Sequence, residues 1–313
     1  MKIKILKKEE KKIVWITGTN GFVGKNLLPL FPKEKYTLYR ISSCFKHTTP
    51  NPNRIYIDFL DKKHIEKVIN EHQIPDLLIH LGWGDIDNPN SNNHITSNVE
   101  SGKNLIDVFF RYGLKKFVFI GSINEYGEQE NILKEEMCPN GKLSNYALGK
   151  SMVAKYGLEK SQQYDAAFIH IRLFYVYGTM QRKKSLINSL FECYKKKTKM
   201  DLGSCDYFRD YIHVSEAVYG IKLLSELNIS TTVNLGSGNA IRLKDFVLKF
   251  WNQLGGDENM LSFGSDTFYK NEQTQNYCYA DLTKLEALVY WKPTLTIEQG
   301  IKLTINNLKK LQS

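Results

Sequence analysis

Runs of apolar residues recur near positions 13, 36, 55, 77 and 117, and between them the apolar positions fall three and four residues apart. Short apolar runs predict buried strands, and the intervening spacing predicts amphipathic helices. Strands alternating with helices imply parallel β-α-β units, and so an α/β fold built on a doubly wound parallel sheet. No internal repeat or low-complexity linker breaks the series.

The first strand lies in Lys11-Lys-Ile-Val-Trp-Ile-Thr-Gly18 and runs straight into a glycine-spaced turn and a helix. Gly18 lets the chain turn tightly, and Gly21 removes a side chain that would keep a pyrophosphate from the helix amino end. Gly24 lets helix and strand pack closely. The spacing is G-x-x-G-x-x-G, and its place between strand and helix marks a dinucleotide site.

Downstream, Tyr146 and Lys150 are four apart in a segment of helical spacing, Ser144-Asn-Tyr-Ala-Leu-Gly-Lys-Ser-Met-Val-Ala-Lys-Tyr156, so they share a helix face. An ammonium one turn from a phenol favours the phenolate, which predicts a Tyr146 pKa below the ordinary value of about 10. The strand in Lys116-Phe-Val-Phe-Ile-Gly-Ser122 delivers Ser122 at its carboxyl end, where ligands of open α/β sheets bind. Its hydroxyl completes a Ser, Tyr, Lys set suited to moving a proton while a cofactor moves a hydride.

Composition changes this picture little. The chain has 313 residues, 42% of them hydrophobic, enough for a large two-part fold. It has no apolar run of about 18 residues and so no predicted membrane span. Met1-Lys-Ile-Lys-Ile-Leu-Lys-Lys-Glu-Glu10 lacks the long apolar region of a signal peptide, so a cytoplasmic location is expected. The five cysteines, Cys44, Cys138, Cys193, Cys205 and Cys278, have no paired metal spacing; they are expected to be reduced structural thiols, with no metal site. His80 and His213 lie in apolar strands and are expected to be packed and hydrogen-bonded. The formal charge of +10 reads as a lysine-rich solvated surface rather than a nucleic-acid stripe. The densest run, Cys193-Tyr-Lys-Lys-Lys-Thr-Lys199, sits at a predicted helix end.

Together these residues make the chain resemble the extended branch of the short-chain dehydrogenase/reductases, the NAD-dependent epimerase/dehydratase family that acts on nucleotide-linked sugars. The likeness runs almost end to end. Ile57-Asp-Phe-Leu-Asp61 resembles the adenine-side segment, and Leu78-Ile-His-Leu-Gly-Trp83 the fourth-strand motif. Asn98-Val-Glu-Ser-Gly-Lys-Asn-Leu105 resembles the following helix. Arg172-Leu-Phe-Tyr-Val-Tyr-Gly178, Phe208-Arg-Asp-Tyr-Ile-His-Val214, Val233-Asn-Leu-Gly-Ser-Gly238 and Trp291-Lys-Pro293 fall in the family's order. The carboxyl-terminal half is more loosely similar to CDP-abequose synthase-type 4-ketoreductases.

The resemblance implies a Rossmann domain over residues 1–174 with about 207–237, its sheet continuing through Ala167-Phe-Ile-His-Ile-Arg172 and completed by the segment around Tyr211. A smaller α/β substrate-binding lobe is implied over about 175–206 with 238–313. Ser122, Tyr146 and Lys150 take the catalytic places. The implied cofactor contacts are Gly18, Asn20, Gly21, Phe22, Val23, Gly24, Asp58, Phe59, Leu81, Gly82, Asn98 and Lys150. Trp83, Asn124, Tyr175 and Arg209 take substrate places, with Arg209 on a diphosphate. A homodimer is implied as well.

Departures narrow the activity. Sugar-nucleotide 4,6-dehydratases commonly follow the catalytic hydroxyl with an acidic residue and then glutamate, whereas this chain has Ile123 and Asn124, neither able to exchange a proton at neutral pH. Glu125 comes one place later and faces away on an alternating strand unless a turn re-aims it. Tyr175 stands where asparagine is usual. Trp83 replaces a small alanine, and either shapes the substrate pocket or fills core. At the end of the second strand, Tyr36-Thr-Leu-Tyr-Arg-Ile-Ser-Ser43 offers Arg40 and no carboxylate, which favours NADP(H) over NAD(H); the other reading is a solvated strand-end arginine. The expected activity is NADPH-dependent reduction of a 4-keto nucleotide-diphosphate sugar. The alternatives are an NAD-dependent 4-epimerase and, more remotely, a non-catalytic RNA-binding or redox-sensing protein.

Overall fold

The computed structural model describes residues 10–43, 53–264 and 277–311. Cys44 and the segment read for a signal peptide, except Glu10, lie outside them. In chain order the first half comprises β1 (Lys12–Thr17), α1 (Phe22–Leu27), β2 (Tyr36–Ser42), β3 (Arg54–Tyr56), α2 (Lys62–His72), β4 (Leu77–His80), α3 (Ser97–Arg111), β5 (Lys116–Ile120), β6 (Asn131–Leu133) and α4 (Asn145–Gln163). There follow β7 (Ala167–Leu173), β8 (Tyr175–Tyr177), α5 (Leu186–Lys196), β9 (Met200–Leu202), β10 (Phe208–His213), α6 (Val214–Leu224), β11 (Thr231–Leu235), β12 (Ala240–Arg242), α7 (Leu243–Leu254), β13 (Leu261–Phe263), β14 (Cys278–Ala280), α8 (Thr283–Val289) and α9 (Ile297–Lys310).

The five strands expected from the apolar runs form, and with β7 and β11 they make a seven-stranded sheet in the order β11-β7-β5-β4-β1-β2-β3. Every pairing in it is parallel. The fold is Rossmann-like α/β. Successive side chains of a strand point to opposite faces, and β1 shows the result: Trp15 enters a core with Phe109, Phe117 and Phe168, while Val14 and Ile16 enter another with Ala217, Val218 and Ile221 of α6.

The segment around Tyr211 does not complete this sheet. As β10 it pairs with β8 and β12 in a separate three-stranded sheet, and the outermost place beside β7 goes to β11. Packing holds β10 there: its side chains meet α7, with Tyr211 stacking on Phe246 at 4.5 Å. Around it, α5, α7 and α9 enclose a core containing Tyr177, Phe250 and Trp251.

α4 is the element that positions the chemistry. Ser144 caps it by accepting from the Ala147 N–H, and Gly157 lets it lie close on β7, since a Cβ there would come 2.1 Å from the Phe168 ring. Among the described residues no helix is long and apolar enough to cross a membrane.

Candidate active site

The turns at the carboxyl ends of β4 and β5 meet the start of α4, and the turn after β1 packs on the one after β4. Gly18 has φ +69°, and a Cβ on it would stand 2.7 Å from the Gly82 nitrogen and 2.8 Å from the Leu81 carbonyl carbon. The turns after β1 and β4 are therefore in backbone contact. The Gly82 N–H donates to Thr17 Oγ1 at 3.0 Å, and that hydroxyl pairs with His80 Nδ1 at 2.7 Å. Burial, helped by Lys150, pushes His80 down to about 3, so the ring is neutral. Gly24 makes its close approach to the turn itself, since a Cβ on it would stand 2.5 Å from the Gly18 oxygen, while a Cβ on Gly21 would meet only that oxygen, at 3.2 Å. α1 begins at Gly21, just after exposed Asn20, with no side chain capping the N–H groups of Phe22 and Val23.

Ser122, Tyr146 and Lys150 come together as their spacing suggests. Ser122 is 8% exposed, and its hydroxyl lies near enough to Tyr146 to favour the phenolate. Its Oγ also accepts from the Asn124 N–H at 3.2 Å. Lys150, 3% exposed, donates to the Ile120 carbonyl at 2.7 Å. Its ammonium lies 4.1 Å from the Trp83 ring centre and 5.0 Å from that of Phe119.

Electrostatics run opposite to the expectation for the tyrosine. Burial pushes Tyr146 up to about 12, the Ser122 hydroxyl opposes that, and Glu125 and Tyr175 add to it. Burial likewise pushes Lys150 down to about 7, with Glu125 opposing. Desolvation outweighs the attraction between ammonium and phenolate because it penalises both charged forms.

Trp83 belongs to this cluster. Its indole N–H donates to His94 Nδ1 at 3.0 Å, and the fully buried His94 uses Nε2 on the Asn88 carbonyl at 2.9 Å. The ring is thereby held with its proton on Nε2 and lies edge-on to Tyr146 at 5.4 Å. His94 was not singled out from sequence, because the surrounding Ser91-Asn-Asn-His94 reads as a polar loop. Asn98 spends its amide locally, accepting from the Gly84 N–H and donating to the Gly84 carbonyl, both at 3.1 Å.

The remaining candidates lie at varying distances from this centre. Asp58 accepts from the Leu60 N–H at 3.0 Å. The Phe59 ring is 8% exposed, in the core and edge-on to His80, so its side chain packs rather than presents a contact. Arg40 lies two residues inside β2, opposite Ile16 and Arg54, and the strand ends in Ser42. Arg209, 5% exposed, has its guanidinium 4.3 Å from the Tyr207 ring and 4.9 Å from Tyr175, with Nη1 donating to the Phe208 carbonyl at 3.0 Å. Tyr175 links the two groups, touching Arg209 and acting on Tyr146.

A Rossmann-like sheet with a Ser, Tyr, Lys cluster at its carboxyl ends defines a protein of the extended short-chain dehydrogenase/reductase class. Residues 14–236 match the NAD dependent epimerase/dehydratase family, and the chain belongs to it. It is an enzyme of the NAD(P)-dependent oxidoreductase and epimerase type. The chain is 25% identical to the ADP-L-glycero-D-manno-heptose-6-epimerase of Brachyspira hyodysenteriae, over 95% of this chain and 98% of that one. It is 23% identical to the CDP-abequose synthase of Salmonella typhimurium, over 95% and 99%. A UDP-glucose 4-epimerase of Thermotoga maritima, solved with UDP-glucose, shares the fold with TM-score 0.82 at 20% identity, covering 96% of this chain and 100% of that one.

Proposed function

We propose that the protein uses NADPH to reduce a 4-keto (6-deoxy) nucleotide-diphosphate sugar, hydride reaching C4 while Tyr146 protonates the oxygen. The observation that carries this reading is the cluster of Ser122, Tyr146 and Lys150 at the carboxyl ends of the sheet, with Tyr175, which acts on Tyr146, lying 4.9 Å from the buried Arg209 guanidinium.

The residues fit a dinucleotide. The open approach at Gly21 and the uncapped start of α1 suit a pyrophosphate, and Arg40 suits a 2′-phosphate. The cofactor, when bound, supplies the hydride. Tyr146, pushed up to about 12, is protonated at neutral pH and is a donor in the reducing direction. Ser122 orients the carbonyl oxygen, and Lys150 holds the nicotinamide ribose. Glu125, at the serine turn, folds back onto the Ser122 N–H, which leaves Ile123 and Asn124 in the dehydratase places. The lobe built on β8, β10 and β12 takes the sugar nucleotide.

The second reading is a 4-epimerase that keeps NAD bound. Two observations favour it: β2 ends in Ser42 rather than Arg40, and a 25% identical relative over nearly its full length bears an epimerase name. Chromatography coupled to mass spectrometry, on reactions of the protein with a panel of 4-keto and 4-hydroxy nucleotide sugars and NADPH or NADH, separates the two. A product two mass units heavier, with stoichiometric NADPH consumption, is expected. Conversion of a nucleotide sugar to an isomer of equal mass without added cofactor would overturn reduction in favour of epimerisation.

A further inference from the structure

Glu125 is 1% exposed, directly beside the serine turn. Its Oε1 accepts from the Ser122 N–H at 2.7 Å and meets His170 Nε2 at 3.2 Å, while Oε2 lies 3.1 Å from His170 Nε2 and 3.7 Å from Arg172 Nε. Gly121 makes room for the pair, since a Cβ there would stand 2.2 Å from His170 Nε2 and 2.3 Å from Glu125 Oε1. His170 is braced by Thr232 Oγ1 at 3.1 Å and stacks on Phe119, whose ring centre also lies 5.0 Å from the Lys150 ammonium. Arg172 lies over the Tyr126 ring at 4.3 Å and donates to the Glu135 carbonyl.

A carboxylate buried this deeply is costly unless paired and hydrogen-bonded. Burial alone would raise Glu125, but His170, Arg172 and the Ser122 N–H outweigh it and hold the group below its ordinary value, ionised. That charge acts in turn on both Lys150 and Tyr146. Of the neighbouring elements, β7 contributes His170 and Arg172, and α4 contributes Tyr146 and Lys150. Lys155 and Glu159 of α4 line the same cavity of about 260 Å³ as Glu125.

We propose that Glu125 is a positioning residue for the reaction, its carboxylate fixing the turn that presents Ser122 and supplying the buried negative charge that acts on Lys150 and Tyr146. The role rests on Ser122, Tyr146 and Lys150 being the catalytic groups. It differs from that of a dehydratase glutamate, because the carboxylate is spent on the protein and not aimed at a sugar.

The test is the pH dependence of kcat/KM for NADPH-dependent reduction. Glu125→Gln keeps an acceptor for the Ser122 N–H and removes the charge. Both Lys150 and Tyr146 then lose their protons more readily, so the limb on which activity falls with rising pH moves to lower pH by about one unit. Glu125→Asp keeps the charge but shortens the reach, leaving the Ser122 N–H unpaired; kcat falls by roughly tenfold while the limb stays in place. A Gln variant that binds NADPH normally and has the wild-type limb overturns the proposal. Should the Gln variant not fold, the Asp variant decides alone, and a displaced limb or unchanged kcat overturns the role. Tyr146→Phe runs alongside. If it retains most of its activity, the catalytic assignment itself fails, an outcome distinct from an inert Glu125.

Discussion

Lys150 carries a charge into a place with almost no water, and its pKa is held near 7 against an ordinary 10.5. Between those values the unfolded chain binds a proton that the folded protein releases, so the lysine makes stability rise with pH across that window. The penalty is fully present below about 7 and gone above about 10.5. Lys150→Met should therefore stabilise the fold at pH 6 by an amount of order a few kcal/mol, with little gain at pH 11, and abolish turnover. Denaturant melts at the two pH values check this; equal gains at both would contradict it. Arg40→Asp puts a carboxylate where a 2′-phosphate is expected. NADP affinity should fall at least about tenfold, or about 1.4 kcal/mol, with NAD binding maintained. Fluorescence titration reads both, and a wild type that already prefers NAD would refute the phosphate contact.

Among the elements, the β1 turn is the most tightly specified. Gly18→Ala combines a positive φ with a Cβ 2.7 Å from the neighbouring backbone. It should cost about 2 kcal/mol or more in stability and weaken NADPH binding, measured by melts and titration on the same sample; an unperturbed variant would show that the turn can shift freely. The strands of the main sheet were legible because residues such as Trp15, Ile79 and Phe119 are buried on both faces, which leaves continuous apolar runs. β11 was less so: Thr231-Thr-Val-Asn-Leu235 looks half polar, yet Asn234 is fully buried, accepting from the Tyr126 hydroxyl and donating to the Leu133 carbonyl. β10 reads as a sheet strand and is one, but nothing local to Tyr211 says which sheet it joins. Partner choice is a long-range packing outcome.

At the scale of the molecule, Tyr146 and Lys150 were legible because one helical turn sets their distance, and Ser122 because strand ends gather ligands. The buried cluster of Glu125, His170 and Arg172 was not, since residues 45 positions apart meet only when β5 and β7 pair. Arg209 tests how the separate three-stranded sheet takes part. Its guanidinium lies between two tyrosines, and losing one partner of a desolvated charge pair costs about 2–5 kcal/mol. Arg209→Ala should raise the dissociation constant of a free nucleoside diphosphate by roughly 30-fold or more, while NADPH binding holds. Calorimetry decides without knowledge of the sugar, and equal binding by the variant would point to a smaller carbonyl substrate.

The contact between Lys150 and Trp83 has a consequence outside catalysis. An indole whose ring centre stands 4.1 Å from an amine feels that amine gain and lose its proton as a change in local electric field, and tryptophan emission responds to such fields. The enzyme thus carries its own optical gauge of Lys150, readable without substrate, cofactor or label. Its emission should titrate near the Lys150 pKa of about 7, and the transition should vanish in Lys150→Met while the signal from the other tryptophans persists.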